Sequence, residues 1–62
     1  ALLDTIIAEA RENRIVRLFL EVRESNLAAR ALYASRGFTP LARRARYYRK
    51  PVEDAIVLRL DL

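Results

Sequence analysis

Residues 18–38, LFLEVRESNLAARALYASRGF, limit the fold of this chain more than any other stretch. Apolar residues alternate along the first part, which is typical of a strand with one buried face. A polar turn follows, in which Ser25 or Asn26 can cap a helix, and the next apolar run ends at Gly37, a residue common at helix C-termini. The stretch therefore predicts a strand, a short turn and a helix in direct succession.

The composition is that of one small folded domain. The chain has 62 residues, of which 53% are hydrophobic, with one glycine and two prolines. This balance fits an α/β segment better than a disordered one. Cysteine and histidine are absent. Their absence excludes disulfides and the commonest zinc ligands, and we expect no metal site.

The helical patterns come before and after the first strand. Residues 1–14 carry apolar side chains at helical spacing. These are Leu3, Ile6, Ile7 and Ala10. Asn13 is expected to adopt the left-handed conformation that ends this helix. In the second helix, the predicted sheet-facing residues are Ala28, Ala31, Leu32 and Ser35. Phe38, just after Gly37, is expected to pack back on Leu32 or Tyr33.

Three strands accompany these helices. The first covers residues 15–23, and two more are predicted at residues 42–48 and 54–61. The short connection between the last two is typical of an antiparallel hairpin. The fold class is therefore α/β, with the order α-β-α-β-β.

Glu21 is the first candidate for chemistry. It stands at the C-terminal end of the first strand, where open α/β sheets bind their ligands. The alternative is a surface glutamate paired with Arg17 or Arg23. Asn26 and Tyr33 have equally simple structural explanations, as a helix cap and as a residue packed between helix and sheet.

Two further features of the last third of the chain leave alternatives open. Tyr47 and Tyr48 are adjacent, and one ring can face the core while the other faces solvent. Five basic residues crowd the same region, and a solvated strand face is the simplest explanation for them. They are Arg43, Arg44, Arg46, Arg49 and Lys50.

Several motifs in order resemble a known family. They are EVR-x-SN, A-x-x-LY-x-x-x-GF, the tyrosine pair and EDA at residues 53–55. Together they resemble the C-terminal part of GNAT-fold N-acetyltransferases, in particular the RimI-like ribosomal-protein-alanine N-acetyltransferases. The resemblance covers residues 1–62 but only about the last two-fifths of a complete domain, with a mixed sheet. We therefore expect a partial domain that lacks the N-terminal strands and the pyrophosphate-binding loop.

The resemblance implies an activity and roles for five residues. The donor is acetyl coenzyme A, and the acceptor is a protein N-terminal amine, expected to be the N-terminal alanine of a small-subunit ribosomal protein. By the same resemblance Glu21 is the general base, Tyr33 the general acid and Asn26 a cofactor contact, and Glu21 and Tyr33 can face one cleft. Tyr47 and Tyr48 border the substrate peptide. The fragment alone is expected to be inactive.

Other functions remain to be weighed. A non-catalytic fragment could assemble with a second copy through an exposed sheet face, and a GNAT enzyme could act on another amine. The net charge of +4 and eleven arginines suggest anionic partners. Direct nucleic-acid binding is nevertheless not expected, because the aromatic motifs of RNA-binding sheets and a helix-turn-helix are missing. With no signal peptide or apolar span in the sequence, a cytoplasmic protein is predicted.

Overall fold

The computed structural model describes residues 2–62. It contains two helices, α1 (Leu2–Glu12) and α2 (Leu27–Ser35). The three strands are β1 (Arg17–Arg23), β2 (Thr39–Arg49) and β3 (Val52–Asp61). The predicted order α-β-α-β-β is confirmed. The expected start of the first helix at Ala1 lies outside the described residues.

The strands form one sheet in which β3 is central and the order is β1-β3-β2. Both pairings are antiparallel, so within residues 2–62 the sheet lacks the parallel neighbour that a mixed sheet requires. The predicted hairpin is confirmed, and it is tighter than expected. Arg49 pairs with Val52, which leaves only Lys50 and Pro51, joined by a cis peptide bond, as the connection.

Helix α1 ends in a Schellman motif centred on Arg14. The N–H of Arg14 donates to the carbonyl of Arg11, and that of Ile15 to the carbonyl of Ala10, both at 3.0 Å. The left-handed residue is therefore Arg14, with φ of 59°, and the prediction of Asn13 was wrong. Asn13 continues the helix, since its N–H and its side-chain Nδ2 both donate to the carbonyl of Glu9.

Both ends of α2 follow the sequence prediction. The side-chain oxygen of Asn26 accepts the N–H of Ala29 at 3.1 Å, so Asn26 rather than Ser25 is the cap. At the other end Gly37 has φ of 96°, a conformation that side chains with a Cβ rarely adopt. Phe38 then folds back so that its ring meets Tyr33 edge-on, with centroids 5.6 Å apart.

The core lies between the helices and one face of the sheet. Its buried residues come from α1, from β1 and β3, and from the end of α2. They are Ile7, Val22, Phe38, Ile56, Leu58 and Leu60. Leu18 and Leu20 of β1 pack against them, as the alternation predicts. Helix α1 contributes Leu3, Ile7 and Ala10 from its predicted stripe, whereas Ile6 is exposed.

The stripe predicted for α2 was wrong. Ala28, Ala31 and Leu32 are exposed, and Ala29 and Tyr33 face the core instead. Almost every residue of α2 is apolar or small, so periodicity alone cannot select the buried face. The cap at its start and the contact of Phe38 at its end fix the rotation of the helix.

Candidate catalytic site

The face of the sheet opposite the helices, here called the open face, carries most of the candidate residues. Since Leu18, Leu20 and Val22 point into the core, the alternate residues of β1 point to the open face. The register of β3 and β2 extends this set across the sheet. The open face includes Arg17, Phe19, Glu21, Arg23, Arg44, Tyr48, Ala55 and Val57. The ring of Tyr47 joins it through its contacts with Arg44 and Tyr48.

Glu21 is exposed at the C-terminal half of β1, and its contact partner is Arg44 of β2. The Nη1 of Arg44 donates to the Oε1 of Glu21 at 3.3 Å. The alternative pairing with Arg17 or Arg23 is wrong. Arg17 pairs with Asp61 at 2.8 Å, and Arg23 with Glu53 at 3.2 Å. Glu21 is thus linked across the sheet to the strand that carries the tyrosines.

The tyrosine pair is stacked on two arginines. The Cζ of Arg44 lies 4.3 Å from the ring centroid of Tyr47, and that of Arg23 lies 4.2 Å from the centroid of Tyr48. The two rings meet edge-on with centroids 5.1 Å apart. Ala55, which pairs with both arginines in the sheet, is fully buried. The arginines and tyrosines therefore form one layer over the small side chain of Ala55.

An irregularity in β2 sets the direction of the tyrosines. Between Arg44 and Tyr48 the pairing with β3 shifts, and Arg46 adopts a φ of 52°. The carboxylate of Asp54 fills the irregularity by accepting the N–H of Arg46 at 2.9 Å and the guanidinium of Arg43 at 3.0 Å. Such bulges commonly re-aim side chains near functional sites. Asp54 thus has the structural role of holding this backbone.

Glu53 also stabilises the backbone around the site, on the side of β3 that faces β1. Its carboxylate accepts the N–H of Ser25 at 2.8 Å and the guanidinium of Arg23 at 3.2 Å. Arg23 also donates to the carbonyl of Pro51 at 3.2 Å. Glu53 therefore ties the turn before α2 to the hairpin that follows the tyrosines.

The pKa values of these two carboxyl groups are lowered by their partners. Hydrogen bonds from Ser25, and secondarily the guanidinium of Arg23, hold the pKa of Glu53 below its ordinary value of 4.5. The N–H of Arg46 and the guanidinium of Arg43 hold the pKa of Asp54 below 3.8. Both groups are thus ionised partners in the folded chain at neutral pH.

Acid is expected to weaken the fold through these carboxylates. Because their folded pKa values lie below the unfolded ones, their contribution is complete above about pH 5 and is lost as pH falls through the folded values. The urea midpoint should therefore fall as the pH is lowered below about 5, and Asp54→Asn should flatten that fall. Glu12→Gln, which alters an α1 carboxylate outside this network, should leave the pH profile unchanged. Equal profiles for wild type and Asp54→Asn would contradict this account.

Asn26 and Tyr33, the remaining candidates, lie at α2. The Oδ1 of Asn26 is committed to the helix cap, so only its Nδ2 remains to donate to a ligand. Tyr33 is half-buried against the core on the helical face, whereas Glu21 is on the open face. Glu21 and Tyr33 therefore do not face one cleft on a single side of the sheet. Among the described residues β1 pairs only with β3, so its other edge carries no neighbouring strand.

Sequence reasoning missed Arg23, Arg44 and Ala55. The sequence interpretation placed Arg44 on a solvated strand face and gave Arg23 as an alternative partner of Glu21. Ala55 appeared there only as part of the EDA motif. The only available signal was the alternation of β3, which places Ala55 on the face away from the core. The contacts of the arginines depend on the strand order, which alternation does not reveal.

The described residues contain no other kind of site. Within residues 2–62, no three acidic, cysteine or histidine side chains are grouped to hold a metal ion. This part of the chain also encloses no pocket, so the candidate site is an open surface. Neither described helix has the length and apolar character needed to cross a membrane.

Comparison with known proteins decides the family. The protein-family model described as "Acetyltransferase (GNAT) family" matches residues 1–38, more than half of the chain. The chain belongs to this family. Relatives extend the match to the remaining residues. The [Ribosomal protein bS18]-alanine N-acetyltransferase of Escherichia coli is 44% identical over 100% of this chain and 43% of its own length. The N-alpha-acetyltransferase RimI of Mycobacterium tuberculosis is 50% identical over 71% of this chain and 28% of its own length.

Solved structures of the family share the fold. The crystal structure of the ribosomal-protein-S18-alanine N-acetyltransferase from Escherichia coli superimposes with a TM-score of 0.90 at 44% identity, over 97% of this chain and 40% of that one. The NatC complex bound to Gag peptide and CoA gives a TM-score of 0.94 at 33% identity, over 98% of this chain and 38% of that one. The chain therefore spans about two-fifths of the length of these family members.

Proposed function

We propose that this chain supplies the acceptor side of an N-terminal acetyltransferase, which moves the acetyl group of acetyl coenzyme A to the α-amino group of a protein. One observation carries the proposal. Glu21, the expected base, is joined through Arg44 to Tyr47, an expected substrate contact, on one open face. The 44% identity to an enzyme named for acetylating the alanine of ribosomal protein bS18 supports the acceptor class. A ribosomal protein that begins with alanine is the acceptor to test first, and the cytoplasm is the proposed location.

The proposed reaction needs one base and one acid. A protein α-amino group has a pKa of about 8, so at neutral pH much of it carries a proton that must leave before attack. Glu21 accepts that proton, directly or through a water. The neutral amine nitrogen then forms a bond to the thioester carbon as the bond from carbon to sulfur breaks, and it releases its second proton to solvent water to leave a neutral amide. Tyr33 donates a proton to the departing thiolate, and the Nδ2 of Asn26 hydrogen-bonds the coenzyme beside the start of α2.

The two acid–base groups lie on opposite faces of the sheet, which bears on how the donor is bound. Within residues 2–62 the outer edge of β1 has no neighbouring strand, and it borders both faces of the sheet. We place the thioester along this edge, with the acceptor amine arriving from the open face and the sulfur lying toward α2. Residues 2–62 enclose no pocket for a coenzyme, so the chain in isolation is proposed to be inactive.

Three acceptors test the proposal with the full-length protein and acetyl coenzyme A. The first is a peptide that begins with a free alanine and contains an internal lysine. The second is the same peptide with a formylated N-terminus, and the third is a polyamine. Mass spectrometry should find one acetyl group on the alanine of the first peptide and none on the second. Transfer to the polyamine or to the lysine instead would contradict N-terminal specificity and favour a GNAT enzyme for another amine.

A second proposal concerns residues 1–62 in isolation. The free edge of β1 and exposed apolar side chains, including Val16 and Phe19, favour pairing with a second copy. Phe19 is 58% exposed on the open face. We expect the isolated chain to sediment as a dimer or larger, and Phe19→Lys to shift it toward the monomer. A monomer at all protein concentrations would contradict self-association.

A further inference from the structure

Arg44 contacts two residues with different expected roles. Its Nη1 donates to the carboxylate of Glu21 at 3.3 Å, and its Cζ lies 4.3 Å from the centroid of the Tyr47 ring. A guanidinium can do both at once, because its flat face stacks on a ring while its edge donates hydrogen bonds. Arg44 thus touches the expected base and an expected substrate contact together.

The strand order explains why the hydrogen bond from Arg44 to Glu21 has to cross the central strand. Glu21 is on β1 and Arg44 on β2, and the central strand β3 lies between them. Ala55 pairs with Arg44 and is fully buried beneath the layer of arginines and tyrosines. Because Ala55 carries only a methyl group, the Arg44 side chain can extend over β3 toward β1.

Arg23 stacks on the other tyrosine but serves a different part of the molecule. Its guanidinium is bound to Glu53 and to the carbonyl of Pro51. These contacts stabilise the hairpin connection. Arg23 makes no contact with Glu21, so it does not link the tyrosines to the expected base.

We propose that Arg44 is a positioning residue that fixes the Glu21 carboxylate relative to the Tyr47 ring. The acceptor's first residue then lies against Tyr47 while its amine nitrogen reaches Glu21. This inference rests on the proposed function, because it assigns Arg44 a role in the same acyl transfer. A displacement of about 1 Å between such groups can cost about a hundredfold in rate.

The test compares kcat and KM of full-length variants with acetyl coenzyme A and the alanine peptide. Arg44→Gln should lower kcat/KM by about tenfold to a hundredfold, through both a lower kcat and a higher peptide KM. Arg44→Lys should recover part of kcat, because an ammonium group can still reach Glu21, but not the KM, since it cannot stack flat on Tyr47. Arg17→Gln breaks a similar exposed ion pair on the same face and should stay within about twofold of wild type.

A double-mutant cycle separates positioning from a general structural role. If Arg44 acts through Glu21, Arg44→Gln should change kcat by less than about threefold once Glu21 is already glutamine. Equal effects in both backgrounds, or unchanged kcat and KM in Arg44→Gln, would overturn the positioning role while leaving the proposed function intact. Wild-type turnover by Glu21→Gln alone would overturn the assignment of the base, whereas failure of the wild-type protein to acetylate the alanine peptide would overturn the proposed function itself. Thermal melting of each variant confirms that the folded protein is being compared.

Discussion

Glu21→Gln in the full-length protein is expected to lower kcat for acetyl transfer to the alanine peptide by about a hundredfold to ten-thousandfold, the usual contribution of a general base. The amide keeps the size of the side chain and can still accept the hydrogen bond from Arg44. It cannot accept the proton of the acceptor ammonium. The loss should therefore appear in kcat with little change in the KM for acetyl coenzyme A, measured by release of the free thiol.

Two further variants sharpen this result. Glu12→Gln changes a carboxylate at the end of α1, outside the network that holds the tyrosines, so it should retain wild-type kcat. Tyr33→Phe keeps the ring that packs on Phe38 and removes only the expected proton donor, so it should lower kcat without lowering the melting temperature. Full activity of Glu21→Gln beside a stable fold would sink the assignment of the base.

Phe38→Ala should destabilise the domain by about 3–5 kcal/mol, the range for truncating a buried aromatic residue. Phe38 is only 4% exposed, and it contacts Tyr33 and the core residues of β1 and β3. It also closes the end of α2, where its N–H donates to the carbonyl of Tyr33 at 3.1 Å. Such a loss is a large share of the stability of a small domain, and urea unfolding followed by circular dichroism would measure it.

The chain provides a matched control for that variant. Phe19 is its only other phenylalanine and is exposed on the open face. At protein concentrations below those at which the chain self-associates, Phe19→Ala should change the free energy of unfolding by no more than about 0.5 kcal/mol, as expected for a surface position. Similar losses for the two variants would mean that Phe19 is covered in solution, which would place a partner on the open face.

The parts of the fold that local chemistry dictates could be predicted from the sequence. The alternation of β1 and β3, a cap at Ser25 or Asn26 and the helix end at Gly37 each depend on neighbouring residues alone; the structure confirms them, with Asn26 as the cap. The rotation of α2 could not be predicted, because an apolar run of small residues offers several equivalent faces. The left-handed residue after α1 was misplaced by one position, since asparagine tolerates that conformation but Arg14 adopts it here.

The candidate site was predictable only as a set of separate residues. The sequence motifs indicated Glu21, Asn26, Tyr33 and the tyrosine pair, and those roles remain proposals. Their relations required the strand order, in which β3 lies between β1 and β2. That order brings Arg44 to Glu21 from the far strand, across β3. No spacing along the chain contains this information, because the contacts join residues about twenty positions apart.

Ala55 has no functional group, yet the open face depends on its size. Ala55 pairs with both arginines in the sheet, and the small volume of its methyl group leaves Arg44 room to cross β3 toward Glu21, the partner of Val57. A larger aliphatic residue at this position would add apolar volume to the sheet and favour β structure. The same side chain would push both arginines away from the tyrosine rings on which they stack. Natural variation at this inert position could therefore retune acceptor choice with every chemical group still in place.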